Sequence, residues 1–280
     1  MTDRLDAVIA GGGPVGLTLA LAAAQAGARV RVLESRAPGT GFDDARNLAL
    51  SRGSWLRLER LGIVDALTTA TPIRTVHVSQ RARAGRTVLD ARDLGTDALG
   101  YTVAYGDLVQ ALDTRARSLG LVRYGSAAEA IESTPNGPIV TVGSERIAAS
   151  AAFIADGGGP LPQALGLGST TKSYGTHALV ARATPERAHR NVAYERFTPH
   201  GPLALLPSGD AFVVVWTLPP DLAAPLATAD DADFLSRLQA AFGWRAGRFV
   251  AVDSRAEYPL QLKTASTAAR GPVALVGNAA

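Results

Sequence analysis

Three glycines and one glutamate carry the first recognisable chemistry in this chain. Gly11, Gly13 and Gly16 stand in the spacing G-x-G-x-x-G, and Glu34 follows after one helix and one strand. Glycine at these places allows a tight turn at Gly11. It lets an anion approach the backbone at Gly13, which has no Cβ, and lets the following helix pack closely at Gly16. The free N–H groups of the first helical turn, at the positive end of the helix dipole, suit a pyrophosphate. A carboxylate at Glu34 can accept hydrogen bonds from ribose hydroxyls and would repel a 2′-phosphate, which favours FAD or NAD over NADP. The competing reading is a structural Gly-rich turn, and the flanking elements argue against it.

Those elements are in register. Residues 6–10 read as a short apolar strand, 14–26 as an Ala-rich helix ended by Gly27, and 29–33 as a second strand with Glu34 at its end. Together they form a complete βαβ unit with the fingerprint in its first turn. Ala7 to Ala28 carries no charge, so hydropathy alone would suggest a membrane span or a signal peptide. The run Gly11-Gly12-Gly13-Pro14 would break such a helix, and both readings are rejected.

Composition narrows the class. A chain of 280 residues supports one large domain or two small ones. There are no cysteines, which excludes disulfides, zinc–thiolate sites and thiol catalysis. The formal charge is +3, and Lys172 and Lys263 are the only lysines. No basic block or aromatic-interleaved basic stripe is present, so nucleic acid is not an expected partner. No histidine has metal-ligand spacing, and no metal is expected.

Along the chain, 36–44 is a loop, and within 45–63 Trp55, Leu58 and Leu61 recur at helical spacing before Gly62. Arg46 lies just beyond the loop that leaves the ribose position, where it suits either a phosphate or flavin contact or a plain surface role. Residues 74–79 and 86–90 alternate like a hairpin about 83–85, and 100–103 is a further strand. Asp107 reads as the N-cap of a helix with Leu108, Ala111, Leu112 and Leu119 on one face. A strand at 121–124, a hairpin at 130–142 and a strand at 147–155 lead into Asp156-Gly157. The segments 178–183, 192–197, 203–206 and 212–217 read as a meander, with a turn at Ser208-Gly209-Asp210. A helix is expected over 230–242 with Phe234, Leu235, Leu238 and Ala241 inward, then strands at 258–262 and 272–276. The expected fold is α/β: a Rossmann-like nucleotide domain over 1–72, 100–170 and 270–280, with an interleaved α+β domain on an antiparallel sheet over 73–99 and 171–269.

The fingerprint, Asp156-Gly157 after an apolar strand, and Gly277-Asn278-Ala279-Ala280 after another together resemble the FAD-dependent aromatic hydroxylases. Arg46-Asn47-Leu48-Ala49-Leu50-Ser51 is similar to that family's R-x-x-A-L-S stretch beside the flavin. Within the family, Thr75-Val76-His77-Val78-Ser79, Glu195-Arg196-Phe197-Thr198, His200-Gly201-Pro202-Leu203-Ala204 and Ala241-Phe242-Gly243-Trp244-Arg245 resemble the 2-polyprenyl-6-methoxyphenol hydroxylases of bacterial ubiquinone biosynthesis. The resemblance spans essentially the whole chain.

The resemblance implies an FAD monooxygenase that hydroxylates the ring of a polyprenylated phenol. NAD(P)H would be the reductant and O₂ the oxidant, through a flavin C4a-hydroperoxide. It implies FAD contacts from Gly11, Gly13, Pro14, Val15 and Gly16, from Glu34, Ser35 and Arg46, and from Asp156, Gly157, Gly277 and Asn278. Arg196 and His200, in the most specific block, are the catalytic candidates, as groups able to favour a phenolate. It also implies a cytoplasmic protein, peripheral at the inner face of the membrane, and a ubiquinone-biosynthesis protein complex as partner. The sequence departs from the family where Pro160 and Gln163 stand in place of the usual Ser and Arg after the D-G pair, and where Asn278 replaces the usual Asp. It also stops within the late motif, so a truncated chain that holds FAD poorly and does not hydroxylate is expected. A non-hydroxylating FAD-linked oxidoreductase and a non-catalytic scaffold in a ubiquinone-synthesis complex remain open as alternatives at this point.

Overall fold

Two sheets organise the protein in a computed structural model that describes residues 4–280. The first is built on β1 (Leu5–Ala10), which pairs in parallel with β2 (Val30–Leu33) on one side and β11 (Glu145–Ile154) on the other. β2 pairs with β8 (Val122–Arg123), and β11 with β18 (Val273–Leu275), both in parallel; β17 (Ala269–Arg270) closes the edge. The order is β17-β18-β11-β1-β2-β8, and β9 (Ala130–Thr134) and β10 (Gly137–Val142) extend it antiparallel from β11. A parallel sheet must be covered on its faces. Here α1 (Pro14–Gln25) buries Leu17, Ala20 and Leu21, and α3 (Tyr105–Ser118) packs beside it with Leu108, Ala111 and Leu112 in the same core.

A small antiparallel sheet follows: β3 (Asn47–Ser51), β7 (Gly100–Ala104) and β4 (Thr71–Ile73). Helical spacing alone did not separate β3 from the helix behind it. That helix, α2 (Arg52–Arg60), starts where the Ser51 hydroxyl accepts from the Ser54 N–H. Asp107 corrects a second expectation. Ala104 is the N-cap of α3, and Asp107 sits inside the first turn, where its carboxylate accepts from the Thr69 N–H at 2.8 Å and from the Thr68 and Thr69 hydroxyls. Leu119, placed on the buried face by periodicity, lies at the helix end and is exposed, because the chain has already left the helical path.

The second sheet has seven strands. They are β5 (Thr75–Gln80), β6 (Arg86–Asp90), β12 (Ser169–Pro185), β13 (Val192–Thr198), β14 (Gly201–Ser208), β15 (Ala211–Leu218) and β16 (Phe249–Ala265), in the order β16-β12-β15-β14-β13-β5-β6. The β5–β6 hairpin thus joins strands from the later half of the chain, through parallel pairing of β5 with β13. Alternation gives this sheet two unlike faces. On one, Leu179, Ala181, Leu203, Leu205, Phe212, Val214 and Trp216 pack under α5 (Pro220–Thr228) and α6 (Asp231–Phe242). Asp230 caps α6 through the Asp233 N–H, and Phe234 and Leu238 are its fully buried anchors. The small sheet ties the two large ones together. The Thr102 hydroxyl donates to the Pro207 carbonyl, Ser208 to Asn47 Oδ1 at 3.0 Å, and the Gly209 N–H to the Thr71 hydroxyl at 2.9 Å.

α6 holds the helix-covered core by burial, so Leu238→Ala should lower stability by about 2–5 kcal/mol through lost apolar contact and a residual cavity. Urea unfolding followed by circular dichroism measures it, and a change within experimental scatter would mean that α6 is not anchored there.

Candidate dinucleotide-binding site

The site forms where the strands of the first sheet end. β1 runs into Gly11, whose φ is +113° and whose position would bring a Cβ within 2.5 Å of the Ala155 carbonyl oxygen at the end of β11. At Gly16 a Cβ would stand 2.0 Å from the Gly11 carbonyl oxygen. Both contacts require glycine, and together they press the start of α1 against the strand ends. Gly13 differs: a Cβ there would meet nothing within 4 Å, because the position faces the open groove. Gly13 is also the N-cap of α1 and offers no side chain to its N–H groups, Pro14 occupies the first turn, and no acidic residue lies there. The first-turn donors therefore stay available to an anion.

Glu34 is buried at the end of β2. Its Oε2 accepts from the Gly12 N–H at 2.8 Å and from Arg36 Nη2 at 3.0 Å. Its Oε1 accepts from the Arg36 N–H at 2.8 Å and from Arg36 Nε at 2.9 Å. Burial by itself would raise the Glu34 carboxyl, but the Arg36 guanidinium and the two backbone N–H groups outweigh it and hold the carboxyl below its ordinary value. A carboxylate offers about four lone-pair positions. All are engaged, so a ribose hydroxyl gains Glu34 only as the exposed Arg36 side chain yields one of its bonds.

The groove encloses about 840 Å³ and runs from the Gly11–Val15 turn past Glu34 and Ser35 to Asp156, Gly157 and Asn278. These nine residues are brought together as the sequence suggested, with Gly16 packed behind the turn. The Asp156 carboxylate accepts from the Gly158 N–H at 3.0 Å, which shapes the turn after β11. Gly277 does not line the groove. Its φ is +63°, and a Cβ would lie 2.9 Å from Val15, so it brings the chain after β18 against the start of α1. Arg46 forms a bidentate pair with Asp44, and its guanidinium lies 4.9 Å over the ring of Tyr105, a groove residue.

The structure sets Arg196 and His200 apart from this groove. Arg196 lies on the helix-covered face of β13, where it donates to the Ala241 carbonyl and to the Ser79 hydroxyl, both at 3.3 Å. His200 is exposed in the β13–β14 turn, with its N–H bonded to the Thr198 hydroxyl. His77 is buried and bonded to Arg245, and His177 pairs with Glu257 at 2.5 Å. Sequence reasoning missed Gly12, Arg36, Leu48 and Tyr105. Gly12 had a signal in hindsight: a Cβ there would strike Glu34 at 2.7 Å, so the run of three glycines has a use beyond the fingerprint. The other three reach the site from separate elements, and nothing in their spacing announces it.

These placements fit a dinucleotide and separate two kinds of glycine. Gly13→Val should leave the unfolding midpoint close to that of the unchanged protein while abolishing most nucleotide affinity, whereas Gly16→Ala should destabilise the fold itself. Thermal unfolding beside an FAD titration distinguishes them, and equal loss of stability in both would contradict the open position of Gly13. A second expectation concerns pH. A carboxyl held below its ordinary value adds stability above the unfolded carboxylate range and loses it as pH falls through the folded value. The stability difference between the protein and Glu34→Gln should therefore be largest near neutrality and shrink on acidification to about pH 3. Urea unfolding of both proteins across that range is the measurement, and a pH-independent difference would refute the assignment.

The same construction recurs in known proteins. The chain is 32% identical to the ubiquinone hydroxylase UbiL of Rhodospirillum rubrum, over 98% of this chain and 66% of that protein. It is 29% identical to the 3-demethoxyubiquinol 3-hydroxylase of Escherichia coli, over 100% of this chain and 74% of that one. The chain thus spans about two thirds to three quarters of the length of these relatives. Among solved structures, p-nitrophenol 4-monooxygenase PnpA from Pseudomonas putida matches the fold with a TM-score of 0.74 at 20% identity, over 99% of this chain and 73% of that one. Residues 4–280, which include every part of the groove, match the family described as FAD binding domain, and the chain belongs to that family.

Proposed function

We propose that this protein is an FAD-dependent hydroxylase acting on the ring of a polyprenylated phenol in ubiquinone biosynthesis, with NAD(P)H as reductant and O₂ as oxidant. The observation that carries the reading is the conjunction of an open anion cradle at Gly13 with an acidic ribose position at Glu34, in a chain whose curated relatives are named as ubiquinone hydroxylases. When bound, FAD supplies the redox chemistry with O₂ that no side chain of this protein can supply. The chain's own part is to bind and orient. The N–H groups at the start of α1 hold the pyrophosphate, Glu34 accepts from the adenosine ribose, and Asp156, Gly157 and Asn278 border the remainder of the groove. The helix-free face of the second sheet is the surface on which a ring would lie.

In this reading the chain divides into a nucleotide-binding part over 1–72, 100–170 and 270–280 and a ring-binding part over 73–99 and 171–269. The pairing of β5 with β13 supports the join between the two pieces of the second part. The protein works in the cytoplasm, peripheral to the inner face of the membrane, where a polyprenyl chain is available, beside other enzymes of the same synthesis. No helix among the described residues is long and apolar enough to cross a membrane.

The test is an FAD titration by flavin fluorescence followed by NAD(P)H oxidation and O₂ uptake with a prenylated phenol, and product mass. A ring-hydroxylated product formed in step with NAD(P)H use supports the reading. Flavin binding with NAD(P)H oxidation and no oxygenated product would overturn it in favour of a non-hydroxylating oxidoreductase. Glu34→Ala should weaken FAD by about 1–3 kcal/mol, the loss expected for charge-assisted hydrogen bonds.

A further inference from the structure

The two faces of β13 carry different chemistry. Tyr194 and Arg196 point under α6, and Glu195 and Phe197 point to the other side. Glu195 sits mid-sheet on that side. Its row across the sheet is Val78, Glu195, Ala204, Val215, Val180 and Ala256, so every neighbour in the row is apolar. The carboxylate is half-buried and makes no hydrogen bond or ion pair among the described residues. A polar group held among apolar neighbours without a partner costs free energy, and such a cost persists where a ligand supplies the partner.

The same face leads to the groove. One row along from Glu195 stand Phe197 and Tyr258, both exposed rings. Tyr258 lies within electrostatic reach of Arg46, and Arg46 covers Tyr105, which lines the groove. An apolar floor with two aromatic edges therefore opens beside the dinucleotide site, and Glu195 is the unpaired acid on it. The other charged groups on this face are accounted for. Arg182 is bonded to Asp210 and Asp253 toward one end, and Arg46 is bonded to Asp44 beyond Tyr258 at the other. The neighbouring strands β5 and β14 face Glu195 with Val78 and Ala204.

We propose that Glu195 is a catalytic residue that accepts the hydroxyl proton of a phenolic ring seated on this face. The proposal rests on the hydroxylase reading given above. In the step, the phenol O–H bond breaks and an O–H bond forms on the Glu195 carboxylate. The electron pair stays on the phenol oxygen and enriches the ring carbons ortho and para to it, where an electrophilic oxygen attacks. The proton passes to solvent when product leaves, and no further reactant is needed. Burial pushes the Glu195 carboxyl above its ordinary value, which makes it a stronger base toward a phenol than an exposed glutamate. Arg196, one residue along, cannot share this role because it faces the opposite side.

The experiment uses the FAD-loaded protein and two probes, 2-geranylphenol and its O-methyl ether, with dissociation constants from intrinsic fluorescence. The unchanged protein should prefer the phenol by about tenfold or more at neutral pH. The preference should fade on acidification, as Glu195 is protonated and ceases to accept. Glu195→Leu should bind the ether as well as before and lose the preference at every pH. Glu195→Gln, which can still accept a hydrogen bond but not a proton, should keep part of the preference and lose most of the hydroxylation rate. FAD content and unfolding midpoint check that both variants are folded. A phenol preference retained in Glu195→Leu, or an unchanged rate in Glu195→Gln, overturns the proposal. The probe preference is read from binding alone. A Glu195-dependent preference in a protein that forms no hydroxylated product would place the error in the reaction and leave proton acceptance by Glu195 standing.

Discussion

The contact between Gly16 and the Gly11 carbonyl is the constraint on which the site depends. No side chain fits between them, and this sets how closely α1 approaches the end of β1. Closeness sets direction. With the helix start pressed against the strand ends, its first N–H groups point into the groove, and Glu34 at the end of the adjacent strand faces the same space. A looser junction would leave the same residues present and aim them elsewhere. Nucleotide recognition here is thus a property of backbone geometry, with side chains adding selectivity at Glu34.

Around that junction the protein keeps its two kinds of sheet apart and ties them through a third. The parallel sheet is covered by helices and offers only its strand ends to a ligand. The seven-stranded sheet is covered on one face alone, which leaves a broad surface free. The small sheet of β3, β4 and β7 bonds to the β14–β15 turn and also positions Leu48 beside the groove. Its hydrogen bonds to Pro207, Ser208 and Gly209 fix the angle between the cradle and the open face. Few polar contacts carry that task, and all lie at strand ends and turns.

Local signals in the sequence were read well where one residue type has one physical use. The glycine spacing, the Asp230 cap and the Ser208-Gly209-Asp210 turn all correspond to what the chain builds. The signals ran out where a choice depends on distant partners. Alternation along β13 shows that Glu195 and Arg196 face opposite ways, but not which side α6 will cover, and so attention fell on Arg196. Asp107 has the right identity for a cap and is instead recruited by Thr68 and Thr69, on a loop far away in sequence. Arg36 and Tyr105 enter the site by tertiary placement alone. β3 is a strand because β7 is beside it, and its own residues carry only a short alternation.

The order of strands in the parallel sheet has a temporal meaning. β1 pairs with β11, and β11 pairs with β18, so the first strand of the chain waits for residues near 150 and those wait for residues near 274. The β5–β6 hairpin likewise has no sheet to join until β13 exists. Pairings so distant are slow to form, because the chain loses the entropy of a long loop before the contact repays it. During synthesis the fingerprint leaves the ribosome first and is finished last, after the seven-stranded sheet has been made. A nucleotide that needs both edges of the groove therefore meets a complete site only on a chain whose second sheet has already been synthesised, and its capture marks the close of folding rather than its start.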